Sequence, residues 1–140
     1  MRKNKKGYSL AEVVIALTVI VAVSTAALTI VLSSMATKMA AVNKTQAQNF
    51  AHSLWECFKA SESHEEFLSN IAFAENVSLV AQSTDQDGFT VYQYDSDQNK
   101  FTAIIKVNYT HTARSAFAVD INQKDGGNIV SLTYEKGDGT

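Results

Sequence analysis

The sequence predicts an α+β fold, with one long N-terminal helix packed on one face of a four-stranded antiparallel sheet. Three observations carry that expectation. The chain has no proline, and the stretch from Tyr8 to Asp87 also lacks glycine, so nothing there breaks a helix. Apolar residues in the N-terminal half recur at gaps of three and four, the spacing of one helical face. From Phe89 onward the apolar residues alternate with polar ones, and Thr, Tyr, Asp, Asn and Gly become more frequent.

The first part of the helix has membrane character. No residue from Val13 to Thr37 is charged, and Val13 to Leu32 is almost wholly apolar with scattered Thr and Ser. About 20 such residues span ~30 Å as a helix, the thickness of a bilayer's hydrocarbon core. Arg2, Lys3, Lys5 and Lys6 precede it, which places the N-terminus in the cytoplasm and everything after Lys38 outside. On hydropathy alone the segment is a single-pass anchor or a secretory signal. Ser24-Thr25-Ala26 approximates a small-x-small cleavage site for the latter.

Past Leu32 the apolar positions thin into a stripe: Met35, Met39, Val42, Ala47, Phe50, Leu54, and Cys57 or Phe58. Lys38, Asn43, Lys44, Gln48 and Glu56 occupy the rest of the surface. A helix from about Ser9 to Lys59 would be ~75 Å long and project ~45 Å beyond a bilayer. Its stripe needs a cover, and the C-terminal strands are expected to supply it. Trp55 and Cys57 read as packing residues, and a single cysteine cannot form an internal disulfide.

A second, short helix is expected from about His64 to Ala74. Ser63 with Glu66 three residues later forms a capping box, Glu65 and Glu66 favour the positive end of the helix dipole, and Phe67, Leu68, Ile71 and Ala72 give it an apolar face. Four strands follow. Phe89–Tyr94 and Phe101–Tyr109 flank "DSDQN". Phe101, Ala103, Ile105, Val107 and Tyr109 alternate onto one face, as do Phe117, Val119 and Ile121, then Val130, Leu132 and Tyr134. "KDGGN" between the last two strands is a hairpin signal, and "DQDG", Asp85 to Gly88, reads as a turn before the first.

The formal charge of −2 hides an asymmetry, because four of the 12 basic residues lie in the first seven positions. The remainder holds 8 basic against 14 acidic residues, which argues against direct nucleic-acid binding. "DSDQN" copies the opening of a calcium loop with Asp95, Asp97 and Asn99. Lys100 then replaces its glycine and Lys106 its bidentate acid, so a solvated turn is expected and no metal site. His52, His64 and His111 have no ligand spacing, and no phosphate loop, G-x-S-x-G, CxxC or HExxH occurs. The chain reads as a non-enzyme without a cofactor.

Glu12 stands apart as a lone carboxylate at the mouth of the apolar run. A charge at a membrane centre costs roughly 2.5–3.5 kcal/mol, and less near the boundary. Its retention suggests a positive partner that appears later. Cutting between Gly7 and Tyr8 would create an ammonium four residues before Glu12. On an axially staggered neighbouring helix that amine could meet the carboxylate and set the register between subunits.

The basic leader, Gly7, the aromatic Tyr8, "SLAE" and then "VVIALTVI" together resemble the class III signal of type IV prepilins and type II secretion pseudopilins. The likeness covers Lys5 to Leu32. In that family a prepilin peptidase cuts after the glycine and methylates the new N-terminus. The resemblance implies cleavage after Gly7, Tyr8 as the N-methylated mature end, and Glu12 as the acid used in filament assembly. It also implies a pilin-like head and partners comprising the peptidase, other pilin subunits, an assembly platform with its motor, and cytoplasmic-membrane lipid before assembly.

On that reading the chain divides into a leader (1–7), a membrane and assembly half of the long helix (8–34), a stalk half (35–60), a connector with a short helix (61–88) and a sheet head (89–140). Small residues Ala16, Ala22, Ala26 and Ala27 permit close helix approach. Two features depart from many family members. No proline or glycine kinks the apolar segment, so local melting would fall to Thr18, Ser24, Thr25 and Thr29 bonding back to helix carbonyls. Cys57 alone cannot close a C-terminal disulfide loop, which favours a Gram-positive or minor-subunit version. A pilus subunit, a secretion pseudopilin and a DNA-uptake pseudopilin all remain open, as does a plain single-pass or secreted binding domain.

Overall fold

The computed structural model describes residues 9–96, 100–109, 115–124 and 127–136. Two compact units emerge, Met1–Ala40 and Ala41–Thr140. A single helix, α1 (Leu10–Ala60), contributes to both, as the absence of breakers predicts. In the first unit, α1 buries none of its described side chains.

The second unit holds the C-terminal part of α1, then α2 (His64–Glu75) and five strands: β1 (Ala81–Thr84), β2 (Thr90–Asp95), β3 (Phe101–Tyr109), β4 (Ser115–Gln123) and β5 (Asn128–Lys136). The strands form one antiparallel meander in the order β1-β2-β3-β4-β5. The expected architecture is thus present with five strands in place of four. The additional strand, β1, lies inside the stretch read as a connector. All four of its residues are exposed, so it carries no apolar alternation. Backbone pairing with β2 holds it, and a register shift between Ala81 and Ser83 interrupts even that.

The turn from Asp85 to Gly88 therefore joins β1 to β2. The Asp85 N–H donates to the Phe89 carbonyl at 2.8 Å, and the Gly88 N–H to the Asp85 carbonyl at 3.0 Å. Gly88 has φ +79°, a conformation that a Cβ disfavours. The Lys106 ammonium, 3.2 Å from the Asp85 carboxylate, ties the turn to the outer face of β3.

The core follows the two periodicities. Ala47, Phe50, Ala51, Leu54, Cys57 and Phe58 are the buried residues of α1. They meet Ala103, Ile105 and Val107 of β3 and Phe117, Val119 and Ile121 of β4. Register aligns these in cross-strand pairs: Ala103 with Ile121, Ile105 with Val119, and Val107 with Phe117. Phe58 is the hub, stacked on Phe117 with centroids 5.2 Å apart and close to Tyr109 at 5.1 Å. Phe67 and Tyr134 approach it edge-on at 6.2 and 6.1 Å. On β5, Val130 and Tyr134 are half-buried and Leu132 is exposed, because this strand is an edge and takes part of its cover from Trp55.

One expectation about the stripe is corrected. Met35, Met39 and Val42 were to share its cover, yet they are 59%, 70% and 47% exposed. Burial on α1 begins at Ala47.

The short helix matches its expected start and runs one residue further. Ser63 is its N-cap, accepting from the Glu66 N–H at 3.3 Å. The Glu66 carboxylate returns to the Glu62 N–H, at 2.9 Å, one residue earlier than a symmetric capping box would place it. Asn76 ends the helix in the left-handed region at φ 53°, a conformation asparagine tolerates.

Candidate functional site

The first turn of α1 holds the residue the sequence singles out. Glu12 sits at the third helical position, and its carboxylate accepts from the Ser9 backbone N–H at 2.9 Å. In return the Ser9 hydroxyl accepts from the Glu12 N–H at 3.4 Å. Together these make a capping box, which satisfies donors that the first turn otherwise leaves without partners. The S-x-x-E spacing of "SLAE" carries this signal in plain view. Glu12 thus has a local partner even in an isolated helix, and an acid at the helix N-terminus is favoured by the dipole. Gly7 and Tyr8, the expected cleavage and methylation residues, lie outside the described residues.

Below the cap the helix surface is apolar all round. Val13, Val14, Ile15, Leu17, Val19, Ile20, Val21, Val23, Leu28, Ile30, Val31 and Leu32 are each between 48% and 65% exposed. At roughly 1.5–3 kcal/mol per large apolar side chain, leaving twelve of them in water forfeits on the order of 20 kcal/mol. That exceeds the ~5–15 kcal/mol net stability of a typical domain, so lipid or other helices must cover this surface. The helix is long and apolar enough to cross a membrane.

Hydroxyls within the segment bond to the helix itself. Thr18 donates to the Ile15 carbonyl at 2.8 Å, Thr25 to Ala22 at 2.9 Å and Thr29 to Thr25 at 2.9 Å. They cost little in an apolar environment because they carry their own acceptors. The helix stays unbroken through all three. Beside Glu12, the small Ala16 opens a shallow groove bounded by Val13, Leu17 and Ile20. Ala22, Ala26 and Ala27 are likewise exposed on α1.

Among the described residues, the histidines and Cys57 do not converge on a common site. His52 is exposed on α1, 3.9 Å from Glu56. His64 is half-buried, with Nδ1 3.3 Å from the Tyr92 hydroxyl and its ring edge-on to Tyr109. Desolvation holds its pKa below the usual histidine value. His111 lies outside the described residues. Burial, reinforced by Glu75 and Glu56, pushes the Cys57 thiol up and keeps it in its inert protonated form.

Of the calcium-like turn, Asp95 accepts from the Thr102 hydroxyl at 2.7 Å, while Asp97 and Asn99 lie outside the described residues. Among the described residues no group of three His, Cys, Asp or Glu side chains is placed to hold a metal ion.

The prokaryotic N-terminal methylation motif matches the chain at residues 2–28. This motif is the class III signal, and its presence supports the type IV pilin and pseudopilin family for this chain. It implies processing by prepilin peptidase and assembly with other pilins, and it points to a structural subunit. No curated protein and no solved structure matches the chain.

Proposed function

We propose that this prepilin-type chain is a structural subunit of a type IV pilus or related filament. It is made as a single-pass precursor with its N-terminus in the cytoplasm and its sheet domain outside. Cleavage after Gly7 leaves Tyr8 as the methylated mature end. The observation that carries this reading is the methylation motif at residues 2–28 coinciding with a helix whose apolar surface is exposed all round.

The apolar half of α1 has two successive environments, first acyl chains and then neighbouring helices. Transfer between them gains little from hydrophobicity, since lipid already solvates the surface. Close packing at Ala16, Ala22, Ala26 and Ala27 and a charge pair at Glu12 supply the register instead. In that step the Glu12 carboxylate, held by the Ser9 N–H in the single helix, also takes the Tyr8 ammonium of a neighbouring subunit.

The functional divisions follow: leader 1–7, assembly helix 8–34, stalk 35–60, connector 61–88 and head 89–140. Within the family a secretion or DNA-uptake pseudopilus is the alternative machine. Fractionation of the native host tests the proposal. The chain should occur in sheared surface filaments or in an isolated pseudopilus, and deletion of the prepilin peptidase should strand it in the membrane. A chain found only as a free secreted domain, with or without the peptidase, contradicts it.

A further inference from the structure

Phe73 is the most exposed large apolar side chain among the described residues of the second unit. It stands on α2 with 94% of its surface exposed, whereas Phe67 and Ile71 on the same helix are fully buried. Its surroundings are acidic. Glu65, Glu66 and Glu75 lie on α2 and Glu62 just before it, all exposed, and α2 contains no Lys or Arg. Glu66 is two turns before Phe73 and shares its face.

The exposed stripe of α1 has the opposite character. Met35, Met39 and Val42, spaced by four and three, lie on one face and remain uncovered. Lys38 flanks them. From Val13 to Trp55 the helix holds Lys38 and Lys44 and no acid at all. A methionine pair is an adaptable surface that makes favourable sulfur contacts with an aromatic ring.

We infer that the Phe73 face of α2 docks on the Met35–Met39–Val42 stripe of a second copy of this chain, with Glu62, Glu65 and Glu66 facing Lys38. The acids on α2 disfavour two α2 faces meeting each other, so the contact joins unlike surfaces. A head-to-tail contact of this kind propagates along an assembly instead of closing as a dimer. Each copy then offers one Phe73 and one stripe. The inference rests on the subunit reading above and names a contact within it.

Thiol cross-linking of the full chain tests this. A chain carrying Phe73→Cys and Met39→Cys replaces the wild type in the native host. Sheared filaments are treated with a short bis-maleimide, and native Cys57 stays in place because it is buried. A ladder of covalent multimers of this chain, requiring both new cysteines, is the expected result. A variant that enters filaments but gives no ladder overturns the contact and leaves the subunit reading intact, and an adduct to a different polypeptide overturns the second copy as occupant. Absence of the wild-type chain from any filament overturns the subunit reading and this contact with it. Charge reversal gives an independent readout. Lys38→Glu should lower incorporation about tenfold, and adding Glu65→Lys to the same chain should restore it. No loss, or no restoration, contradicts the inference.

Discussion

Ser9 and Glu12 cap one another: the Ser9 N–H donates to the Glu12 carboxylate at 2.9 Å, and the Ser9 hydroxyl accepts from the Glu12 N–H at 3.4 Å. The acid at the mouth of the apolar helix therefore has one role inside its own chain and a second, proposed one between chains. Substitution separates them.

Glu12→Gln keeps an oxygen that accepts the Ser9 N–H but removes the charge. It should insert in the membrane and be cleaved normally, yet enter filaments at least about tenfold less than wild type, the loss of one modest charge pair. Glu12→Leu, which removes both roles, should do no better. Quantitative blotting of the sheared-filament fraction checks this. Normal incorporation of Glu12→Gln would leave the cap as the sole role of Glu12.

Gly7→Val should leave the leader attached, because a bulky side chain at the cleavage position excludes the peptidase. The intact mass of the membrane-extracted chain reads the outcome. Unhindered trimming would remove the peptidase assignment while leaving the fold untouched.

Phe58→Ala should destabilise the second unit by about 3–5 kcal/mol, the usual cost of emptying a fully buried aromatic site. Phe58 touches Phe67, Tyr109, Phe117 and Tyr134, so collapse around the cavity requires four rings to move. Denaturant unfolding of the detergent-solubilised chain, followed by Trp55 fluorescence, measures it. Phe73→Ala, on an exposed ring, should change stability by less than about 0.5 kcal/mol in the same assay.

Stability should fall as the solution is acidified through the range just below pH 6.5. Desolvation lowers the His64 pKa in the folded chain, so the unfolded state binds the proton first as pH drops. The contribution of neutral His64 is complete above the unfolded value of about 6.5 and is lost toward the folded pKa. Thermal unfolding from pH 8 to pH 5 would show the decline, and His64→Gln should reduce it. An unchanged pH profile in that variant would assign the decline to other groups.

Much of the architecture is legible in the residues because two periodicities are strongly written. Phe101 to Tyr109 alternates apart from Ile104, which lies exposed on the outer face, and β3 has those bounds. Ala47, Phe50, Leu54 and Phe58 repeat at helical gaps and are buried. β1 is not legible, since a strand held by backbone pairing alone leaves no apolar pattern at Ala81–Thr84. Met35, Met39 and Val42 look like a continuation of the core stripe because periodicity reports a face and not its cover. The Ser9–Glu12 cap is written as openly as the Ser63–Glu66 one, but the membrane character of the following residues draws attention to the charge of Glu12 and away from its hydrogen bonds.

The most direct test of the prepilin account is the mass of the mature chain's N-terminal peptide, taken from the native host. A peptide that begins at Tyr8 and is heavier by one methyl group is the predicted result. A start at Met1, or near Ala27, would contradict it.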